Sequence, residues 1–245
     1  MNIHFLNTFT CNARFSRHWQ TGLLSLLIEA EQGLVLVDTG LGTAEYEQPR
    51  PFTRMFQVIT QMPMDAREAA LNQVLAFGYQ PEDVRHIVLT HMHFDHISGL
   101  ADFPQAQVHV ARREYDAFMG RHKSFFDLAY DRSYIAHQPE FQLYDEIGEK
   151  WFDFDAIRLP FSPEIWLIPL PGHSRGHCGV AVQKDAGWHL HCADAAGDFR
   201  KQIPAWAIRM ALGPHEPRLR AFGAAHPEVT LTASHMFLDF FENAK

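Results

Sequence analysis

The chain is poor in cysteine, in basic charge and in long apolar runs, and each shortage removes a class of protein. Three cysteines, Cys11, Cys178 and Cys192, are odd in number and widely spaced in 245 residues. They make no disulfide framework and suit a reducing compartment. Lysine and arginine total 21 against 29 aspartates and glutamates, a formal net charge of -8 with a pI near 6.0. No basic patch offsets that balance, so nucleic acid is not an expected partner. The longest apolar stretch near the N-terminus, Leu23 to Ile28, is far short of the ~20 residues that span a bilayer. The first twenty residues, broken by Asn2, His4, Asn7, Asn12 and Arg14, lack the basic and apolar regions of a secretory signal. The expectation is a cytoplasmic protein with no membrane partner.

What is present is material for a core. A composition 47% hydrophobic and 20% charged excludes a disordered or fibrous chain, and the length allows one α/β domain over 1–245. Leu23 to Glu29 and Leu34 to Asp38 read as a strand hairpin around Glu31-Gln32-Gly33. Leu41 to Met64 mixes prolines with Phe52, Met55, Phe56, Ile59 and Met62, too apolar for a solvated loop, and reads as a lid or an interface. Spacing predicts a helix from Asp65 to Phe77, stopped by Gly78. His86 to Thr90 reads as a buried strand, Gln107 to Val110 as another, and Arg112 to Phe118 as the helix that follows. Residues Arg121 to Gln138, with Phe125, Phe126, Tyr130 and Tyr134, have no period; they could cover a pocket, pack a second copy in a homodimer, or be ordinary core. Further strands are expected at Phe141 to Ile147, Ile165 to Leu170, Gly179 to Gln183, Trp188 to Cys192 and Glu228 to Thr232, with a helix at Glu216 to Ala225. Two halves, each of strands then helix, suggest a sandwich.

Histidine carries the chemical signal. Among 16 histidines, His91, His93 and His96 share one hexapeptide with Asp95, directly after a predicted buried strand. In an extended start His91 and His93 project to one side, while Asp95 and His96 sit where the chain turns toward a helix. One segment can therefore feed two adjacent metals. Neutral imidazoles and carboxylates are the usual ligands of zinc and also suit iron and manganese. His189 and His191 alternate on one strand face leading to Asp194, which reads as half-exposed. The cysteines have no basic partner beyond His177, which argues against a nucleophilic thiol.

Thr90-His91-Met92-His93-Phe94-Asp95-His96 resembles the H-x-H-x-D-H signature of the metallo-β-lactamase superfamily. Pro171-Gly172-His173-Ser174-Arg175-Gly176-His177 matches the family's G-H-T-x-G-H loop with serine for threonine, and His191-Cys192-Ala193-Asp194 and Ser234-His235 follow in the family's order. The resemblance implies a four-layer αββα sandwich holding two divalent metal ions, zinc foremost and iron or manganese otherwise. His91, His93 and His173 would hold one ion, and Asp95, His96 and His235 the other. Asp194 would bridge them, in preference to Asp198. A bridging hydroxide would then be the nucleophile, with Asp95 its catalytic orienter and proton acceptor. His177 and Asp38 would fix the ligands rather than bind metal.

The superfamily spans many reactions, so the fold does not settle function. Flavo-diiron proteins carry an acid where this chain has His93. Family nucleases add basic arms, and secreted β-lactamases commonly use a cysteine ligand. The His-Phe-Asp-His-Ile-Ser-Gly continuation looks most like the N-acyl homoserine lactonase group, with a small-molecule lactone, ester or thioester as substrate. Those lactonases carry a tyrosine three residues after the bridging aspartate, where this chain has Gly197; Tyr130 or Tyr134 could substitute. The alternative is a glyoxalase II-like thioester hydrolase. Those enzymes add a basic helical extension, whereas ten residues follow His235 here. A phosphodiesterase and a non-enzymatic metal-binding module rank below it.

Overall fold

Alternation of side chains across strands, and not their hydrophobicity alone, sorts the apolar residues into three cores. The computed structural model describes residues 2–12, 20–121, 126–145, 148–184, 187–201 and 205–243, the side chains of 126 and 205–208 excepted. A first sheet begins with β1 (Ile3–Asn12), β2 (Gln20–Ala30) and β3 (Gly33–Val37), paired antiparallel. After α1 (Thr43–Glu47), α2 (Pro51–Thr60) and α3 (Ala70–Ala76) it continues in parallel through β4 (Val84–Val88). The short α4 (Phe94–Ile97), β5 (Gln107–Ala111), α5 (Arg112–Met119) and β6 (Phe141–Tyr144) complete that run.

A second sheet holds β7 (Glu149–Trp151), β8 (Phe154–Arg158), β9 (Ile165–Pro169), β10 (Cys178–Lys184) and β11 (Gly187–His191) in antiparallel order. After α6 (Ala205–Leu212) and α7 (Glu216–Ala225), β12 (Val229–Thr232) joins β11 in parallel. β13 (His235–Phe237) then crosses back to the first sheet, and α8 (Asp239–Asn243) closes the described residues.

Leu24, Leu26, Val35 and Val37 of the first sheet meet Ile165, Leu167, Val180 and Val182 of the second, all completely buried. Their neighbours point the other way. Leu23, Leu27, Leu36 and Ile87 pack under Val74 and Phe118 of the helices on one outside, and Ile168, Ala181 and Leu190 under Leu219 and Phe222 on the other. Helix, sheet, sheet and helix stack in the four layers the sequence implied. Among the described residues, no helix is long and apolar enough to cross a membrane.

Differences from the sequence expectation are local. Asp65 caps a 3-10 turn, accepting from the Arg67 N–H, and Ala69 is extended, so the expected 65–77 helix is broken before α3. The cause is Glu68, whose carboxylate takes the Thr10 hydroxyl at 2.6 Å and pulls the turn onto β1. α2 fills part of the expected lid: Phe52 and Phe56 turn edge-on to Phe94, while Met55, Val58 and Ile59 stay exposed. Tyr130 and Tyr134 are core residues, 4% exposed, and Phe125 falls outside the described residues.

The placement of β13 is decided by where β3 stops. β13 pairs with Thr21 to Leu23 of β2, whereas β3 pairs with Leu26 to Ala30. Because β1 already lines the other side of β2, β13 extends the sheet where β3 has ended. His235 is thereby set beside the loops that leave β3 and β4.

Candidate metal centre

Four chain segments meet at this edge of the two sheets. The loop leaving β4 carries His91, His93, Asp95 and His96; the loop after β9 brings His173; a turn after β11 brings Asp194; and β13 begins with His235. Ligand atoms of His91, His93 and His173 lie within 4.8 Å of one another, as do those of His91, His96 and Asp194. His93 Nδ1 and His173 Nε2 are 3.0 Å apart, a spacing two ligands of one ion adopt. Asp194 sits between the halves: one carboxylate oxygen is 3.3 Å from His173 Nε2 and 3.5 Å from His235 Nε2, the other 3.7 Å from His96 Nε2. Asp95 approaches His96 Nε2 to 3.9 Å. The structure thus gathers all seven residues expected from the sequence, with His91 close to members of both halves.

The ring orientations are set from behind. Asp38 accepts from the Thr90 N–H at 2.9 Å, the Thr90 hydroxyl at 2.7 Å and His96 Nδ1 at 2.8 Å. Since the Thr90 hydroxyl donates to Asp38, it accepts from His91 Nδ1 at 3.1 Å. His173 Nδ1 donates to the Ala211 carbonyl at 2.8 Å. In each ring Nδ1 is the outward donor, so Nε2 is the atom that faces the cluster. His91 Nε2, His96 Nε2 and Asp194 Oδ1 are buried without a hydrogen-bond partner, a costly arrangement for a protein interior. Convergent, unpartnered nitrogen and oxygen acceptors are the donor set of a divalent cation, and the residues fit one.

Charge points the same way. Burial, then the neighbouring imidazoles, push His91 and His93 well below the usual histidine range, which keeps them neutral. Burial opposes protonation of His96, yet Asp38, Asp95 and Asp194 outweigh it and raise its pKa to about 10. Burial also disfavours a charged Asp194, but His235, His173 and His96 hold its carboxyl well below the usual range. Burial, with Asp194 beside it, raises that of Asp95. Three carboxylates closing on buried imidazoles favour positive charge at their centre.

With this geometry, the sequence profile of the Metallo-beta-lactamase superfamily matches residues 22–196. The chain belongs to that superfamily. A Mycobacterium tuberculosis protein named "Probable metallo-hydrolase Rv2300c" is 38% identical over 199 residues, covering 80% of this chain and 62% of its own length. The chain therefore matches under two thirds of that relative. The N-acyl homoserine lactonase AiiA of Bacillus thuringiensis subsp. kurstaki is 27% identical over 185 residues, covering 73% of this chain and 66% of its own. A solved N-acyl homoserine lactone hydrolase with the product N-hexanoyl-L-homoserine at its catalytic metal centre superposes with TM-score 0.67 at 19% identity. It covers 98% of this chain and 95% of that one.

Around the superfamily's ligand set, other residues take definite places. His177 is fully buried, and its Nε2 accepts the Asp194 backbone N–H at 3.1 Å, so it orients the ligand turn from behind. That turn is strained: Ala193 has φ 47°, a conformation costing an alanine about 1 kcal/mol or more. Asp198 is held by Arg200 at 2.6 Å and accepts the Phe237 N–H at 3.1 Å, so it braces β13 and is not near the cluster. His189 and His191 are not half-exposed as expected. Both are buried between the sheets and share the Thr232 hydroxyl, at 2.9 and 3.2 Å. The two do share a strand face, but the second sheet's inner face is covered by the first. Burial, then Asp95, pushes the Cys11 thiol up to about 12, and Cys192 is likewise raised by burial, so neither is a thiolate nucleophile.

Tyr130 and Tyr134, the candidates to replace the tyrosine absent at Gly197, are engaged by other residues. Tyr130 donates to Glu114 at 2.9 Å, and Tyr134 pairs with Thr53 at 3.3 Å. Tyr46, Tyr79 and Tyr144 bond to Thr8, Glu29 and His109. The residue that sequence reading missed is Glu114, completely buried beside the three-histidine half. Its signal was present: helical spacing puts it on the same buried face as Ala117 and Phe118, where an acid has no place without partners.

Proposed function

We propose that the chain is a dinuclear metal-dependent hydrolase that opens a small-molecule lactone or related ester. The observation that carries this reading is the convergence of the unpartnered Nε2 atoms of His91 and His96 on Asp194, with His93 and His173 gathered beside His91. His91, His93 and His173 would hold one divalent ion, Asp95, His96 and His235 a second, and Asp194 both. Two such ions would bring a bound water's pKa toward neutrality and polarise an ester carbonyl. The chain's own residues do the rest. Asp95, beside His96, accepts the proton of the attacking water and returns it to the leaving oxygen. With the Tyr130 and Tyr134 hydroxyls bonded to Glu114 and Thr53, polarisation of the carbonyl would fall to the ions. The half-buried Phe56 ring, its centroid 5.3 Å from that of Phe94, offers apolar surface beside the segment that carries Asp95 and His96.

Zinc is the favoured metal, in keeping with the ligand set and with the solved dizinc lactonase AidC, which superposes with TM-score 0.60 at 18% identity. The test is a panel of lactones, thioesters and phosphodiesters assayed on protein loaded with zinc, iron or manganese. Lactone or ester turnover well above the other arms supports the proposal. Turnover confined to thioesters or phosphodiesters would replace the substrate class, and two bound ions with no turnover would leave a metal-binding module.

A further inference from the structure

Glu114 lies in the first turn of α5, which follows β5 directly, and its carboxylate is completely buried. Four donors from three other segments reach it. One oxygen accepts the Met92 N–H at 2.9 Å and the Tyr130 hydroxyl at 2.9 Å. The other accepts the Ser174 hydroxyl at 2.7 Å and the Gly176 N–H at 2.9 Å. Met92 lies between His91 and His93, Ser174 follows His173, and the Tyr130 ring packs 5.0 Å from that of His93. Each oxygen thus faces one backbone N–H, which can only donate, and one hydroxyl. Among side chains of this size, only a carboxylate accepts on both arms. The approach is also close: a Cβ on Gly176 would stand 2.2 Å from the Glu114 nitrogen, so glycine there lets the loop seat on the helix start.

We infer that Glu114 is the positioning residue of the three-histidine half of the metal centre, tying the loop of His91 and His93 to the loop of His173. It touches no ligand atom; it acts through the backbones that carry the ligands. The other half is braced elsewhere: His96 by Asp38, and β13, which carries His235, through the Phe237 N–H that Asp198 accepts. Loss of Glu114 should therefore loosen one half and spare the other, which a general structural role would not do. The inference rests on the proposed metal centre.

The test measures metal affinity, by zinc competition against a chelator and by elemental analysis, and needs no turnover. Glu114→Gln keeps the shape but turns an NH2 group toward one of the two N–H donors. Wild type should bind two ions, and the variant should hold one as tightly while the other weakens tenfold or more, the range for outer groups that orient ligands. Two backgrounds locate the effect. With His235→Ala, which removes a ligand of the second half, Glu114→Gln should still weaken the remaining ion tenfold or more. With His173→Ala it should change affinity less than twofold. Equal weakening in both backgrounds, or none in either, overturns the inference. Absence of bound zinc in wild type instead overturns the metal centre itself. Should Glu114→Gln fail to fold, the pair Ser174→Ala and Tyr130→Phe removes one donor from each oxygen and should reproduce the selective loss; parallel loss of both ions there also overturns it.

Discussion

His96 Nδ1 lies 2.8 Å from a carboxylate oxygen of Asp38, and both side chains are completely out of contact with solvent. Asp38 adopts φ 56° to reach this place, a left-handed conformation that aspartate tolerates better than most residues. The carboxylate holds a proton on Nδ1 and leaves Nε2 facing the cluster, the atom that would ligate a metal. In Asp38→Asn the amide oxygen can still accept the Thr90 N–H, but the NH2 group then faces His96, whose proton moves to Nε2 and points into the cluster. Metal affinity should fall ten- to a hundredfold, measured by chelator competition. Unchanged affinity would show that the tautomer is fixed by something other than this contact.

How much of this was legible in the sequence depends on what each residue had to know. His91, His93, Asp95 and His96 announce themselves because a local motif holds their spacing. His173, Asp194 and His235 were found by the family order of motifs, since nothing local says that residues eighty or more apart will meet. α7 runs from Glu216 to Ala225 as expected, because its apolar face and its ends are local properties. β1 was not expected, because the polar residues of Ile3–Asn12 hide a strand whose partner is β2. β7, β8 and β13 were likewise unseen: three to five residues with no turn signal of their own become strands only because a neighbour offers a ladder. The wrong exposure of His189 and His191 has the same origin, as a strand's period reports which residues share a face and not what covers it.

Asp95 combines two tasks, and its substitution should separate binding from chemistry. In the proposed reaction it would be both a metal ligand and the proton acceptor of the attacking water. Burial, with Asp194 nearby, raises its carboxyl above the usual range in the metal-free protein. Asp95→Asn, loaded to two ions per chain, should lose about 10²-fold or more in kcat with KM changed much less. An unaltered kcat in the fully loaded variant would assign the proton to another group.

The pH dependence of stability has a source away from the metal centre. His86 Nδ1 is 3.1 Å from His109 Nε2, and His109 Nδ1 is 2.8 Å from the Tyr144 hydroxyl, beneath the ring of Phe161. Burial first, then His86, lowers His109 to about 4 from the usual 6.5, and burial and then Arg85 lower His86. The unfolded chain therefore binds more protons between these values, so this contribution is intact above about 6.5 and is lost as pH falls toward 4. Urea midpoints of the metal-free protein should drop across that window, and His109→Gln should flatten part of the drop. Equal slopes in wild type and variant would place the pH dependence on other buried histidines.

The remaining prediction concerns the substrate's acyl group. Phe56 packs edge-on to Phe94 at 5.3 Å and to Phe9 at 6.4 Å, and Phe9 in turn meets His235 at 6.2 Å. Phe94 directly precedes Asp95, so this aromatic wall is anchored in the ligand segment and cannot shift without it. Phe52 stands on the other side of Phe94 at 5.0 Å. If the wall receives an acyl chain, burial is worth ~0.8 kcal/mol per methylene, and three added carbons should raise kcat/KM by more than tenfold. Phe56→Ala should cut that increment by at least half, while the shortest substrate of the series loses little. The measurement is kcat/KM for a homologous acyl series in wild type and Phe56→Ala. A flat series in both proteins would make these rings packing for Phe94 alone, and the preference for acylated lactones would lose its support outside the metal ligands.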